Sequence, residues 1–176
     1  RLLYELVKDA SLNVSFQKNT GFHFPWEADH VVLIANGTGI APFLGMIENN
    51  TKKKPITLFW GGQNESSLAL YKAELYNLIE KGRLSQLRTA YSRVGKKSCY
   101  VQGAIRKEEQ MVVSSLSQNG VIMICGSLKM QEDVERVLDE ITHRNFNKKL
   151  EYYKNMGRIK TDSYKIETEW IKNSRY

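Results

Sequence analysis

The sequence predicts an α/β domain: an open, three-layer parallel sheet of about five strands with helices on both faces. Three observations predict it. Short apolar runs alternate with segments whose apolar residues recur at helical spacing, the pattern of strands joined by crossover helices. The runs at residues 31–35 and 121–125 are continuously apolar and rich in β-branched residues, as strands covered on both faces must be. Each is closed at once by glycine, in Asn36-Gly37-Thr38-Gly39 and at Gly126. At 176 residues, 41% hydrophobic and 26% charged, the chain can bury a core without disulfide or metal staples, and it is unlike a disordered tail, a collagen or a mucin-like stalk.

The elements follow in order. Leu12, Val14 and Phe16 alternate with polar neighbours and predict a half-exposed strand, after which Pro25-Trp26-Glu27 reads as a linker. Residues 31–35 form the first buried strand, and a helix opens near Pro42, where proline is tolerated. Residues 55–60 are a second strand ending in Gly61-Gly62. From 66 to 81 a helix is expected, with Leu68, Tyr71, Leu75, Leu78 and Ile79 on one stripe and Gly82 as its stop. A weaker third strand at 87–91 is followed by the basic stretch 92–98. One helical segment then carries Ile105, Met111 and Leu116 up to Gly120. After strand 121–125 comes the longest helix, with Met130, Val134, Val137, Leu138 and Ile141 at helical spacing, and a last short strand is expected within 157–164. The chain opens on Arg1 without an initiator Met, so we expect a piece of a longer polypeptide: residues 1–28 as the trailing edge of an earlier domain, 29–164 as one domain, and 165–176 as an extension.

Lysine and arginine number 26 against 19 acids, a net charge of +7, which points to an anionic partner without saying whether it is nucleic acid, membrane or a phosphorylated small molecule. The two cysteines, Cys99 and Cys125, are too few for a disulfide framework and predict a reducing, cytoplasmic compartment, or the cytoplasmic face of a membrane if the parent protein is anchored. No run approaches the roughly 18–20 apolar residues of a membrane helix, and residues 1–8 lack the apolar run of a signal peptide. His23, His30 and His143 stand apart from one another and from any Cys or Asp cluster, so no metal site is assigned. A nucleophile elbow, GxSxG, is also missing.

A glycine turn between a strand and a helix lets backbone approach an anion and presents free N–H groups to it. By itself Asn36-Gly-Thr-Gly39 is weak: it is neither GxGxxG nor a Gly-Lys-Ser/Thr phosphate loop. The longer stretch at residues 34–43, Ile-Ala-Asn-Gly-Thr-Gly-Ile-Ala-Pro-Phe, resembles the pyrophosphate-binding turn of the ferredoxin:NADP reductase superfamily. Ala90-Tyr-Ser-Arg93, Cys99-Tyr-Val-Gln102, Ile124-Cys-Gly-Ser127 with Met130 and Asp133-Val134, and Gly157-Arg158 then follow in the order seen in NADPH-dependent diflavin reductases such as the sulfite reductase flavoprotein. The resemblance spans about residues 12–164.

The resemblance implies a strand order of 3-2-1-4-5 and an NADPH-binding module that delivers hydride to FAD. The FAD would sit in a preceding β-barrel domain, of which residues 1–28 are the remnant. Onward transfer would use FMN in a flavodoxin-like domain, or a haem or sulfite reductase type of acceptor. Gly37, Thr38 and Gly39 would contact the pyrophosphate and nicotinamide side, and Ser92 and Arg93 match the pair that holds the 2′-phosphate. Tyr100 matches the aromatic that stacks on adenine or completes that phosphate site, while Gln102, Gly126, Met130 and Asp133 belong to the matched cofactor-binding segments. Lys96 and Lys97 add the positive charge that a phosphate wants; the residues alone leave a solvated basic loop as the other reading. Cys125 matches a cysteine beside the nicotinamide C4; the residue alone reads as a small buried hydrophobe. Asp162 and Tyr164 match the terminal acid and the flavin-covering aromatic, though the twelve residues after Tyr164 bring Trp170 and Tyr176 into competition for the flavin face. Cys99 takes no role.

This sequence departs from the family pattern at three places. Ala35 stands where many relatives have glycine, Gln63 where an arginine often helps bind the pyrophosphate, and Ser98 where a lysine binds the 2′-phosphate, with Lys97 as a substitute. The expected preference for NADPH over NADH is correspondingly loosened. Two rivals come from other classes. A non-catalytic α/β module could touch nucleic acid through its basic loop, but gives no reason for Cys125-Gly126 and Asp162. A methyltransferase-like fold wants an acid at the end of its second strand, where this chain has Trp60-Gly61-Gly62.

Overall fold

In a computed structural model, the described residues are 11, 19–95 and 98–164. The expected strand at Leu12–Phe16, the pair Lys96-Lys97 and the extension 165–176 lie outside them.

Five parallel strands form one sheet in the order β3-β2-β1-β4-β5, the order the resemblance implies. They are β1 (Val31–Asn36), β2 (Ile56–Gly62), β3 (Gln86–Tyr91), β4 (Val121–Ser127) and β5 (Ile159–Tyr164). The crossover segments contain α1 (Ala41–Glu48), α2 (Ala69–Glu80), α3 (Val101–Lys107), α4 (Glu109–Ser117), α5 (Leu128–Phe146) and α6 (Leu150–Asn155).

Alternation along β1 sends side chains to two cores. Val31, Leu33 and Ala35 join Leu58, Trp60, Met123 and Cys125 under α1 and α2, where Phe43, Ile47, Leu75 and Leu78 close the layer. Val32, Ile34, Phe59, Ile122 and Ile124 face the opposite layer, with Val101 and Ile105 from α3, Val112 and Leu116 from α4, and Val134, Leu138 and Ile141 from α5. Both faces of β1 and β4 are therefore covered, which is why their sequences read as unbroken apolar runs. Full burial of each such side chain contributes about 1.5–3 kcal/mol. Edge strands β3 and β5 are only partly buried, hence their weaker patterning.

The structure differs from expectation at three places. The helix expected at 66–81 begins as a 3-10 turn, Glu65–Leu68, because Asn64 and Ser67 cap it reciprocally before α2 proper starts. The single helical segment expected before Gly120 is two helices. Glu108 leaves helical geometry at φ −103°, ψ 30° and is held from β3 by Arg88, whose Nε lies 3.0 Å from its Oε1. The break lets α3 pack on β2 and β3 and α4 contact β1. Helix α6 has no sequence signal: only Leu150 and Tyr153 are buried, and its first N–H, that of Leu150, donates to Asp139 Oδ1 of α5 at 2.7 Å. Among the described residues no helix is long and apolar enough to cross a membrane.

Candidate functional site

Connections from β1 run outward to β2 and β3 on one side and to β4 and β5 on the other, so strand order reverses between β1 and β4. At such a point the loops diverge and leave a crevice beyond the C-terminal strand ends. A cleft of about 1110 Å³ lies there, lined by Asn36, Gly37 and Thr38 after β1, by Trp60 to Gln63 at the end of β2, by Ser92, by Tyr100 to Gln102 at the start of α3, and by Ser127 to Met130 with Glu132 and Asp133 on α5.

Its floor is main chain. The turn Gly37–Ile40 is a 3-10 segment leading into α1, and Gly39 is pressed so closely on β4 that a Cβ there would lie 2.4 Å from the Cys125 carbonyl oxygen. Trp60, buried under the turn, donates from Nε1 to the Gly37 carbonyl at 3.1 Å. On the other side Ser127 is the N-cap of α5, its Oγ accepting from the Met130 N–H at 3.3 Å. The 19-residue α5 thus turns the positive end of its dipole toward the cleft.

At the β3 end, Ser92 is tied back by its N–H to the Gly62 carbonyl at 3.0 Å, and the Arg93 N–H donates to the Gln63 carbonyl at 2.8 Å, leaving the Arg93 side chain exposed. Tyr100 occupies the N-cap position of α3 and is 65% exposed beside the cleft, an aromatic face free to be covered. Gln102 donates to Asp133 Oδ2 at 3.4 Å, linking α3 to α5, and Asp133 also pairs with Arg136 at 3.1 Å. Lys97 lies outside the described residues.

A second group stands on the β5 side. Cys125 and Asp162 are register partners across β4 and β5. Cys125 is 6% exposed, and burial first, then the Asp162 charge, pushes its thiol up to about 11. It is a neutral thiol at physiological pH. Tyr164, the last residue of β5, places its hydroxyl 3.2 Å from Thr38 Oγ1 and so meets the turn after β1.

The structure thus brings Gly37, Thr38, Ser92, Tyr100, Gln102, Met130 and Asp133 to one cleft. Gly39, Gly126, Cys125, Asp162 and Tyr164 lie beside it: the glycines as close-packed main chain, the other three along the β4–β5 edge. Arg93 lies at its rim, next to Ser92. Sequence reasoning assigned no role to Asn36, Trp60 or Ser127. Trp60 carried one signal, its position at the end of a predicted strand, and Asn36 and Ser127 another, their place inside the segments that resemble the family.

Fold and cleft together define a doubly wound α/β nucleotide-binding domain. The model of the oxidoreductase NAD-binding domain family matches residues 33–136, more than half of the chain. The chain belongs to this family, within the ferredoxin:NADP reductase superfamily. It is 31% identical over 175 residues to the sulfite reductase [NADPH] flavoprotein alpha-component of Buchnera aphidicola subsp. Acyrthosiphon pisum, covering 93% of this chain and 29% of that one. Human methionine synthase reductase is 29% identical over 178 residues (90% of this chain, 26% of that protein), and the inducible nitric oxide synthase of Oryctolagus cuniculus 31% over 140 residues (73% and 28%). The chain spans less than a third of the length of these relatives.

Proposed function

We propose that the chain is the NADPH-binding module of a flavin-dependent oxidoreductase, passing hydride from NADPH to FAD on a neighbouring domain of the same polypeptide. NADPH would supply a hydride from its nicotinamide C4, FAD N5 would accept it, and NADP⁺ would leave. FMN in a flavodoxin-like domain, or a haem or sulfite reductase type of acceptor, would take the electrons onward, in a cytoplasmic protein or at the cytoplasmic face of a membrane. Residues 29–164 form the nucleotide-binding unit of this reading, and residues 1–28 are the remnant of its flavin partner and the linker, whose Phe22 and Ala28 pack into the core of the sheet.

The observation that carries the reading is the cleft at the β1–β4 switch point, lined by Gly37 and Thr38 of the turn after β1 and by the Ser127-capped start of α5. The groups present fit a dinucleotide: the turn after β1, held close against β4 by the Cβ-free Gly39, for a diphosphate, and an exposed aromatic, Tyr100, for adenine. Ser92 and Arg93, with Lys97, would hold the 2′-phosphate: the Arg93 guanidinium is exposed, and the Ser92 hydroxyl, which donates to the Gly62 carbonyl at 3.3 Å, would turn to it. Gln102, Met130 and Asp133 shape the wall between the adenine and diphosphate ends, and Gly126 lets β4 turn into α5 beside them. Cys125, a neutral thiol buried beside the cleft, would present a compact surface to the nicotinamide, with Asp162, its register partner, orienting it. Tyr164, whose hydroxyl lies 3.2 Å from Thr38 Oγ1, would cover the flavin face of the site and move aside for the nicotinamide, leaving Thr38 to the cofactor. The chain contributes orientation and electrostatics, and the redox chemistry belongs to the cofactors.

Retention on immobilised 2′,5′-ADP tests this reading. Elution by NADP⁺ but not NAD⁺ is the expected result; tight DNA binding without such retention would sink the reading in favour of a nucleic-acid module. Flavin-free protein reduces no acceptor with NADPH until the FAD-bearing domain is supplied.

A further inference from the structure

We propose that Asn36 and Ser127 form a diphosphate-positioning pair, in which the Asn36 carboxamide turns the Ser127 hydroxyl into a donor aimed at the nucleotide. The proposal rests on the nucleotide-binding reading above. Both residues line the cleft, one from the end of β1 and one from the end of β4, so the pair bridges the switch point itself.

The geometry uses both ends of the carboxamide. Asn36 Oδ1 accepts from the Ser127 N–H at 3.0 Å, and Asn36 Nδ2 donates to Ser127 Oγ at 3.2 Å. Ser127 Oγ also accepts from the Met130 N–H at 3.3 Å. A hydroxyl oxygen has two lone pairs. With both engaged, the Ser127 hydroxyl is left to act only as a donor, and among the described residues it has no acceptor. The second Asn36 amide hydrogen likewise has no acceptor among them. Two donors therefore stand unmatched where the α5 dipole is positive, and a diphosphate oxygen supplies what both lack.

Gly126 shows that the contact is built in. Its φ is +149°, and a Cβ there would lie 2.1 Å from Asn36 Oδ1 and 2.8 Å from Met130 Cε. A side chain at 126 would displace the carboxamide from Ser127, so glycine is required at that position for the clamp as well as for the backbone angle.

Asn36→Asp keeps an acceptor for the Ser127 N–H, removes both amide donors and places a negative charge beside the diphosphate. Calorimetric titration with NADP⁺ and with 2′-AMP, which lacks the diphosphate, separates the effects. The expected result is NADP⁺ affinity weakened at least about tenfold, with 2′-AMP affinity changed less than about twofold. Asn36→Ala, which adds no charge, is the second variant in case Asn36→Asp fails to fold, and it weakens NADP⁺ selectively by a smaller factor. Equal weakening of both ligands in folded protein, or none, overturns the proposal. If the unmutated chain binds neither ligand, the nucleotide-binding reading fails instead.

Discussion

The two ends of the strand-edge crevice are built differently. At the β1–β4 junction the site is made of main chain and close packing: Gly39 rests on the Cys125 carbonyl, Trp60 is bonded to Gly37, and Ser127 is clamped by Asn36. Along β4–β5 it is made of side chains brought side by side by strand register, with Cys125 opposite Asp162 and Tyr164 held at the turn by a hydroxyl contact to Thr38. Tyr164 is 43% exposed, whereas Trp60 and Ser127 at the junction are buried. Rigid backbone suits the recognition of a diphosphate, which needs fixed N–H groups. A single edge contact suits the movable, flavin-covering role proposed for Tyr164.

Substitutions should therefore divide by end. Gly39→Val forces branched carbons onto the β4 main chain, which cannot withdraw as a side chain could, and is expected to cost about 3 kcal/mol in urea unfolding and to abolish nucleotide retention. A stable, binding-competent Gly39→Val protein would mean that the junction is softer than described. Arg93→Ala removes an exposed guanidinium, so stability should stay within about 0.5 kcal/mol while NADP⁺ affinity drops about tenfold and NAD⁺ affinity holds. An unchanged NADP⁺ to NAD⁺ ratio would remove Arg93 from the 2′-phosphate site.

The β5 end predicts smaller effects. Because the Cys125 thiol is raised from 9.0 to about 11 by burial and then by Asp162, the unfolded chain ionises it first as pH rises. The folded state keeps its full contribution below pH 9 and loses it between about 9 and about 11. Stability measured across that window should fall less steeply in Cys125→Ala, and identical slopes would refute the assignment. Tyr164→Phe deletes one exposed hydroxyl contact and should cost no more than about 1 kcal/mol, because water replaces the partner. A larger loss in thermal unfolding would show that the β5 edge is locked as firmly as the junction.

Much of the fold was legible because its signals are local. Strands β1 and β4 announce themselves by apolar runs, α5 by a stripe from Met130 to Ile141, and the turn after β1 by its glycines. Helix α6 and the break at Glu108 were not legible, because Asp139 and Arg88 create them from other elements. In the site, motif resemblance singled out Gly37, Thr38, Ser92 and Tyr100, all now at one cleft. It gave no role to Asn36 or Ser127, whose meaning lies in a contact spanning 91 positions.

By itself the amino-acid order determined the alternation of strand and helix, the two strands buried on both faces and the glycine turn, since periodicity and propensity act over a few neighbouring residues. Tertiary structure alone decided that Asn36 meets Ser127, that Cys125 lies beside Asp162, and that Thr38 reaches Tyr164 across 126 positions. Such contacts depend on strand register and the close approach of main chains, which arise only when distant segments pack into one sheet.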